Sequence, residues 1–527
     1  MSTTRRHFLR AASAMSMGGR AALGLSLAQI GKVSAQTASA SGDDYKAIVC
    51  LYLGGGNDYA NTLVPYDEPS YNAYRTYRSD LAYQKDQLRM GPDGSAVDIP
   101  SAYPNVPMKP LSQLVLNPRD IRNVSRPALE RDGVTPRQYA LAPALSSLAP
   151  LFNSDVASER RLAVLLNVGP LLQPNSPTYA QYRSGAMGTL PTSLFAHDYQ
   201  TSYWLTSHGV DSAATGWGGR ALDDLQALNE QSTFTTISLA GNSAFLTGNN
   251  VVQYQVGTGG PDRFDTLRNG IWGSSAAADA LAQIVTGTGS GLFEDAHTAV
   301  MRRAIDAGDV LSVGLDASLT PEAAQTNAIL ASRDALGSLK YPALNKTGPS
   351  GETLGKQLAM VARIIAARRV TGARRQVFFV SLGGFDNHSD MAKNHSVLLQ
   401  QVAECMVEFH KVTRDMGCAE KVTLFTASDF GRTLKSNGDG TDHGWGSMHF
   451  VLGGAVKGGQ FYGQAPKVGI DTPDDYGSGR LVPTMAVDQV AATLATWMGV
   501  PEQDLPSVAP YIDNFRSSSL GINLGFL

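Results

Sequence analysis

The fold class is decided by AIVCLYLGGGND, residues 47–58 of this 527-residue chain. Its first seven residues are apolar without alternation, and a run of this length and kind is typical of a strand buried on both faces. Three glycines end the run, and Asn57 and Asp58 follow them. The stretch therefore predicts a buried strand of a parallel sheet, with a carboxylate just beyond its carboxyl end.

Apolar runs of strand length recur along the chain, at residues 162–169, 377–382, 422–426 and 449–452. Helical patterns alternate with them, at residues 276–340, 354–369, 391–416 and 486–498. Buried strands that alternate with helices are typical of an α/β protein whose sheet is covered on both faces. We therefore predict a mostly parallel central sheet flanked by helices.

The domain organisation is predicted to be simple. Residues 45–527 are expected to form one α/β domain that carries two insertions. Residues 83–137 are rich in Pro, Asp and Asn and show little periodicity, which predicts an irregular insertion. Residues 270–350 carry Ala-rich helical patterns separated by Gly and Thr, which predicts a helical insertion.

The first 35 residues have the pattern of a twin-arginine signal peptide. Arg5 and Arg6 precede a Phe-Leu step, a mildly apolar stretch and a small-residue cleavage site that ends at Ala35. Gly and Ser interrupt the apolar stretch, which disfavours the alternative of an N-terminal membrane anchor. Residues 36–44 are predicted to form a flexible leader. The pattern predicts export of the folded protein by the twin-arginine translocase, to the periplasm or beyond.

The charge balance and the cysteine pattern exclude several classes of partner and cofactor. Cleavage after Ala35 would remove five of the 43 basic residues and none of the 46 acidic ones, which leaves a net charge of −8. Nucleic acids and anionic membranes bind basic surfaces, so neither partner is expected. No other apolar run is long enough to span a bilayer. The three cysteines form no Cys-x-x-Cys pair, which disfavours haem attachment and iron–sulfur clusters.

Carboxylates and imidazoles gather where the predicted strands end. Asp58, Asp386 and Asp429 each follow an apolar run, and parallel strands bring such positions to one edge of the sheet. Asp442 lies in a Gly-rich loop further along the chain. Four of the nine histidines lie in this acidic, Gly-rich part of the sequence: His388, His395, His443 and His449. Such side chains are ligands for a divalent metal, with zinc ahead of manganese, magnesium or calcium.

Each of these residues also has a purely structural interpretation. Asp58 could cap a turn, His395 could be a hydrogen-bonded core histidine, and His449 could be half-exposed on a strand. Arg432 follows Asp429 closely and could either bind an anionic substrate or pair with one of the acids. Unpaired acids bunched at one sheet edge are costly without a cation, so the set as a whole favours a metal site.

Five short segments carry a family resemblance: LGGGND (53–58), GGFDNH (383–388), SDFGRT (428–433), DHG (442–444) and LGG (452–454). Together they resemble the bacterial family called domain of unknown function 1501, over essentially the whole mature chain. That family is similar in fold to the alkaline phosphatase and sulfatase superfamily, whose members hold divalent metal at the carboxyl edge of a mostly parallel sheet. The resemblance implies that Asp58, Asp386 with His388 or His395, and Asp429 bind metal.

The chain departs from the superfamily pattern in two places. Phe430 stands where the superfamily has a histidine, and the resemblance implies that His443 and the preceding aspartate supply the missing ligand. No cysteine lies in the Cys/Ser-x-Pro-x-Arg signature of sulfatases. The phosphatase relatives use a Ser or Thr at the start of a helix, and the resemblance implies Ser193 as the nearest candidate nucleophile. His197 follows the strand at 162–169 and is expected at the same edge, as a catalytic residue. Further candidates for the nucleophile are Ser176 and Thr178.

Two functions are consistent with these patterns. The first is a periplasmic metal-dependent hydrolase of phosphate or sulfate esters, acting on a small anionic ester or on a saccharide or lipid ester, with Arg432 near the reacting group. The second is a non-catalytic periplasmic binding or assembly protein on the same fold. The acids and histidines favour the enzyme, whereas the absence of a clear nucleophile motif favours the binding protein.

Overall fold

The structure is a computed structural model that describes residues 44–88, 90, 102, 106–118, 126–130, 136–174, 181, 184, 190–209, 215–262, 270–287, 291–346 and 353–527. The predicted signal peptide at 1–35, all of the leader except its last residue, and the candidate nucleophiles Ser176 and Thr178 lie outside these ranges.

The strands of the described residues are β1 (Lys46–Leu53), β2 (Leu63–Pro65), β3 (Tyr139–Leu141), β4 (Leu162–Gly169), β5 (Thr236–Ser238), β6 (Tyr254–Gln255), β7 (Arg375–Leu382), β8 (Val422–Ser428), β9 (Arg432–Ser436), β10 (Thr441–His443), β11 (Ser447–Gly453), β12 (Gln460–Gly463) and β13 (Met485–Ala486). The five strand-length runs predicted from the sequence correspond to β1, β4, β7, β8 and β11, and each prediction is confirmed to within a few residues.

The α-helices are α1 (Glu68–Tyr77), α2 (Arg126–Leu129), α3 (Ala149–Asn153), α4 (His197–Thr206), α5 (Trp217–Arg220), α6 (Ser275–Thr286), α7 (Leu292–Leu315), α8 (Pro321–Leu330), α9 (Pro342–Asn345), α10 (Leu354–Ala366), α11 (Met391–Asp415), α12 (Val487–Met498) and α13 (Leu505–Val508). Helices α6 to α9 fall in the segment predicted as a helical insertion. Across the described ranges, no helix combines the length and the apolar character that a bilayer span requires.

The central sheet has the order β12-β4-β11-β8-β1-β7-β5-β6, and β13 also pairs with β4. Strand β11 runs antiparallel to β4 and β8, and the other pairs in this sheet are parallel. The predicted mostly parallel α/β architecture is therefore confirmed. Two small antiparallel pairs, β2 with β3 and β9 with β10, stand beside the sheet.

The continuous apolar run of β1 is explained by burial on both faces. Val49, Leu51 and Leu53 belong to the core that includes the buried residues of α10 and α11. Ile48 and Cys50 belong to the opposite core, which includes the buried residues of α12. Because successive side chains of a strand point to opposite faces, a strand between two helix layers needs apolar residues at every position.

Candidate metal centre

The register of the central strands brings three loops to one edge of the sheet. Leu53 at the end of β1 lies opposite Leu382 of β7 and Ser428 of β8, so the three strands end at the same level. Asp386 and Asp429 stand in the loops that begin there. The first residue of α4 and the last residues of β10 complete a group that we call the His/Asp cluster: His197, Asp386, His388, Asp429, Asp442 and His443.

Three members of the cluster form its centre, which we call the ligand trio: His197, Asp386 and His443. One ligand atom from each lies within 4.8 Å of the others. The Nε2 atom of His443 is 3.2 Å from Oδ1 of Asp386, and the Nε2 atom of His197 is 3.5 Å from Oδ2 of the same carboxylate. Both imidazoles therefore point their Nε2 atoms at one carboxyl group.

The ring of His197 is held from behind by Asp429. Its Nδ1 lies 2.6 Å from Oδ2 of Asp429, whose side chain is almost fully buried. An ionised carboxylate only accepts hydrogen bonds, so this Nδ1 carries the proton and a neutral ring has its lone pair on Nε2. The contact gives Asp429, which the sequence presents as a metal ligand, the role of orienting His197 in this structure.

The ring of His443 is also oriented by a hydrogen bond at Nδ1, in this case to a backbone carbonyl. Its Nδ1 donates to the carbonyl of Phe195 at 2.7 Å, which leaves the lone pair of the neutral ring on Nε2. Burial lowers the pKa of His443, and the nearby His197 and Arg432 lower it further, against the opposing effects of the Phe195 carbonyl and Asp386. The imidazole is therefore neutral at pH 7, with Nε2 available as a ligand.

These contacts test whether the residues fit a metal ion. Two imidazole lone pairs that face a carboxylate oxygen repel it unless a proton or a cation lies between them. A histidine whose Nδ1 bonds to a carboxylate or carbonyl, with Nε2 free, is the usual arrangement of a metal-binding histidine. Two nitrogens and one oxygen from three protein side chains are also a common ligand set of catalytic zinc. The ligand trio therefore fits a divalent cation.

Arg432 holds Asp386 in its ionised form. Its fully buried side chain donates from Nη1 to Oδ1 of Asp386 at 2.9 Å and to the carbonyl of Gly55 at 3.0 Å, and its other nitrogens bond to Thr441. Burial alone would raise the pKa of Asp386, but the hydrogen bond and charge of Arg432 outweigh it and leave the pKa below its usual value. Of the two roles open to Arg432 in the sequence, the structure shows the pairing with an acid.

His388 and Asp442 form the exposed rim of the cluster. The Nε2 of His388 lies 3.0 Å from Nε2 of His443 and 3.1 Å from Oδ1 of Asp386. Its Nδ1 faces Oδ1 of Asp442 at 3.4 Å, and both side chains are about half exposed. His388 therefore contacts the ligand trio directly, while Asp442 reaches it through His388.

Asp58 has its contacts away from this cluster. Both of its oxygens are bound by Arg78, at 2.8 Å and 3.1 Å, and both side chains are fully buried. Burial raises the pKa of Asp58, but the charge and hydrogen bonds of Arg78 and the amide of Asn61 outweigh it and lower the pKa below normal. The structure thus places this carboxylate, expected among the metal ligands, in a buried ion pair, because the end of α1 brings a guanidinium to it.

Two of the four histidines singled out in the sequence lie in the core instead. His395 bonds through Nε2 to Oδ1 of Asn57 at 3.0 Å, and burial lowers its pKa to about 4. His449 contacts the hydroxyl of Thr426 at 3.3 Å and packs against Trp204, and burial lowers its pKa to about 3. These contacts support the alternative of a hydrogen-bonded core histidine for His395. The alternative for His449, a half-exposed position on a strand, is wrong, because the residue is buried.

Acid should weaken the fold between pH 6.5 and 5 because of these buried histidines. The folded-state pKa of His395 lies below the value of about 6.5 in the unfolded chain, so the unfolded state binds the extra proton as the pH falls. The expected loss is roughly 1.4 kcal/mol per pH unit for each such histidine. Urea unfolding at pH 7, 6 and 5 should show this decrease in the free energy of unfolding with falling pH. In His395→Gln the decrease should be smaller by the contribution of one histidine, roughly 1.4 kcal/mol per pH unit. An unchanged decrease in that variant would contradict the assignment.

Ser193 lies in the loop that leads to α4, with its side chain exposed and a φ of 51°, in the left-handed region. Its carbonyl accepts from the amide of Ala196, one residue before His197. The position puts the residue next to the cluster along the chain.

Three further groups contact the cluster, and one of them, Tyr52, lies outside the five motif segments. Tyr52 donates to Oδ1 of Asp429 at 2.8 Å, and the amide of Gly55 donates to the same oxygen at 3.1 Å. Phe430 packs its ring against His197 and His443, with centroids 4.8 Å and 4.6 Å away. The one available signal for Tyr52 is a hydroxyl within an otherwise apolar strand, one residue before the strand ends.

Fold and site together define a mostly parallel α/β protein with a His/Asp cluster at the carboxyl edge of its sheet. The chain belongs to the family described as Protein of unknown function (DUF1501), whose model matches residues 45–505. No curated protein matches the sequence. Among solved structures, the phosphonate monoester hydrolase SpPMH from Silicibacter pomeroyi is similar at 9% identity and a TM-score of 0.24, over 67% of this chain and 68% of that one. A TM-score of this size does not establish a shared fold.

Proposed function

We propose that the exported protein is a metal-dependent hydrolase of phosphate or sulfate esters. The observation that carries the proposal is the ligand trio, in which one ligand atom of each residue lies within 4.8 Å of the others. The Nε2 atoms of His443 and His197 face Asp386, and the Nδ1 atom of each ring is bound by another group. The strand-end motifs resemble the domain of unknown function 1501 family, and the similarity of that family in fold to the alkaline phosphatase and sulfatase superfamily supports the same reaction class. Two imidazole ligands favour zinc over magnesium and calcium, which prefer oxygen, and manganese is the next candidate.

Each residue of the cluster has a distinct part in this proposal. A divalent ion held by the ligand trio would act as a Lewis acid toward an ester oxygen. Arg432 keeps Asp386 ionised and fixed, and Asp429 turns Nε2 of His197 toward the centre. His388 stands at the exposed rim, where it can exchange a proton with a leaving oxygen or with water. The exposed Ser193 is the candidate nucleophile.

A turnover screen on the purified mature protein tests the proposal. The protein is loaded separately with zinc, manganese, magnesium or calcium and assayed on aryl phosphates, phosphodiesters and aryl sulfates. At least one ester should be hydrolysed, chelation should abolish this activity, and one added ion should restore it. His443→Ala, purified in parallel, controls for contaminating hydrolases. Absence of turnover with every ester and ion would contradict the proposal.

The alternative is a non-catalytic binding or assembly protein, and one observation favours it. Asp386 is already paired with Arg432 at 2.9 Å, so the cluster is partly neutralised without an ion. Under this alternative the screen finds no turnover, whether or not a metal binds. Metal content measured on the same samples by mass spectrometry then separates a metal-binding protein from one that holds none.

We also propose that the chain is exported through the twin-arginine route, on the basis of its first 35 residues. Replacing Arg5 and Arg6 with lysine should leave uncleaved precursor in the cytoplasm, because the translocase recognises the arginine pair. Fractionation followed by immunoblotting measures this. Arg10→Lys is the matched control and should be exported normally. Export of the double variant at normal yield would mean that another pathway carries the protein.

A further inference from the structure

We propose that Tyr52 and Thr201 are positioning residues. Through Asp429 they determine which of the two ring nitrogens of His197 carries the proton. The inference rests on the proposed function only in assigning His197 to a metal. The hydrogen-bond chain itself is a property of the protein alone. It runs from Thr201 through Tyr52 and Asp429 to His197, and it joins strand β1, the loop after β8 and helix α4.

The chemistry of Asp429 fixes the direction of every bond in this chain. Its ionised carboxylate offers acceptors only, so the Tyr52 hydroxyl, 2.8 Å from Oδ1, must donate to it. With its proton so used, the Tyr52 oxygen accepts from the hydroxyl of Thr201 at 2.8 Å. The amide of Gly55 is a second donor to Oδ1 at 3.1 Å. Oδ2 therefore remains for Nδ1 of His197, at 2.6 Å.

The same bonds fix the helix that carries His197. His197 and Thr201 are four residues apart on α4, so they lie on one face of the helix, one turn from each other. The first reaches Asp429 and the second reaches Tyr52, whose ring is buried and packs on Phe379 with centroids 5.9 Å apart. The helix is thus bound at two points, to the loop after β8 through His197 and to strand β1 through Thr201.

Loss of the Tyr52 hydroxyl should loosen the orientation of His197. Oδ1 of Asp429 would keep only the Gly55 amide, and the carboxylate could then rotate away from Nδ1. A neutral imidazole that is no longer held can move its proton to Nε2, and a protonated nitrogen cannot bind a metal. Groups that support a ligand from behind typically contribute 10–100-fold to metal affinity.

Nitrogen-15 NMR of labelled histidine in the metal-free protein tests the proposal directly, recorded at about pH 8, above the ordinary histidine pKa of about 6.5. In the wild type, His197 should show its proton on Nδ1, and the missing signal in His197→Gln identifies the residue. Tyr52→Phe and Thr201→Val should show a mixture of the two tautomers. Tyr462→Phe is the matched control, because it also removes a buried hydroxyl, which bonds to the carbonyl of Lys457 at 2.9 Å, and it should match the wild type.

Zinc affinity by competition with a chelator is the second measurement. It should fall about 10-fold in Tyr52→Phe and by less in Thr201→Val, with Tyr462→Phe unchanged. The proposal is overturned if Tyr52→Phe and Thr201→Val both keep the wild-type tautomer, and Thr201→Val decides alone if Tyr52→Phe does not fold. A wild type that binds no metal would refute the proposed function. A change of tautomer in the two variants would still support the role of the hydrogen-bond chain.

Discussion

Asp386→Asn should lower zinc affinity by more than about 100-fold and remove ester hydrolysis with it, because even supporting groups around a metal contribute 10–100-fold. Both Nε2 atoms of the ligand trio face the carboxylate of Asp386, at 3.2 Å and 3.5 Å. Asparagine keeps the shape and leaves Arg432 a neutral acceptor, but it removes the negative charge. Isothermal titration with zinc and the turnover assay measure the two effects, and circular dichroism checks that the variant folds.

Asp442→Asn is the matched comparison for that result. Asp442 is exposed to a similar degree as Asp386 and belongs to the same cluster, but its contact is with Nδ1 of His388 at 3.4 Å. The same chemical change should therefore cost about 10-fold at most, in line with a supporting group. If the two variants lose affinity to within a factor of three of each other, the metal does not bind at the ligand trio.

The sheet could be predicted because its signal is local. An apolar run of strand length without alternation predicts a strand that is buried on both faces. It does not fix the direction of the strand, since the run at 449–452 became β11, which is antiparallel to both of its neighbours. The runs at 47–53 and 377–382 became β1 and β7, and their register brought the loops after them to one edge. The placement of Asp386 and Asp429 at one edge could thus be predicted from the sequence, since parallel strands end together. His443 does not follow from this rule, because it ends β10 of the antiparallel pair beside the sheet.

The roles of the individual side chains at that edge could not be predicted from the sequence, because they depend on contacts between distant parts of the chain. Whether Asp429 binds an ion or orients His197 depends on ångström differences in the position of α4, which no periodicity encodes. The Phe195 carbonyl that holds His443 is a backbone group and leaves no mark in the sequence. Asp58 ends its strand as Asp386 does, yet its partner Arg78 comes from the end of a helix twenty residues later, without a local motif.

Asp58→Asn should destabilise the protein by about 3–5 kcal/mol, the usual cost of breaking a buried ion pair. The substitution leaves Arg78, which is fully buried, without the carboxylate that compensates its charge. The neighbouring acceptors of Arg78, the carbonyls of Thr433 and Leu434, are uncharged and cannot replace it. Urea unfolding at pH 7 measures the loss. Glu502→Gln is the control, because it removes an exposed pair with the same 2.8 Å separation and should leave stability nearly unchanged.

The pH dependence of this difference gives an independent check. The folded-state pKa of Asp58 is lowered, so its contribution is complete above the unfolded value of about 4 and is lost as the pH falls through the folded-state pKa. The difference in the free energy of unfolding between the wild type and Asp58→Asn should therefore be constant from pH 7 to 5 and become smaller below pH 4. If this difference already decreases near neutral pH, another group is titrating.

A double-mutant cycle then separates a structural role of Asp58 from a role at the metal. Arg78→Met added to Asp58→Asn should cost less than the sum of the single changes, since it removes the uncompensated charge. In the folded Asp58→Asn protein, zinc affinity should remain within about threefold of the wild type, because both oxygens of Asp58 are bound by Arg78 and the carboxylate contributes nothing to the ligand trio. A loss of zinc affinity comparable to that of Asp386→Asn would show that Asp58 is a metal ligand after all. It would also mean that Arg78 releases the carboxylate when the ion binds.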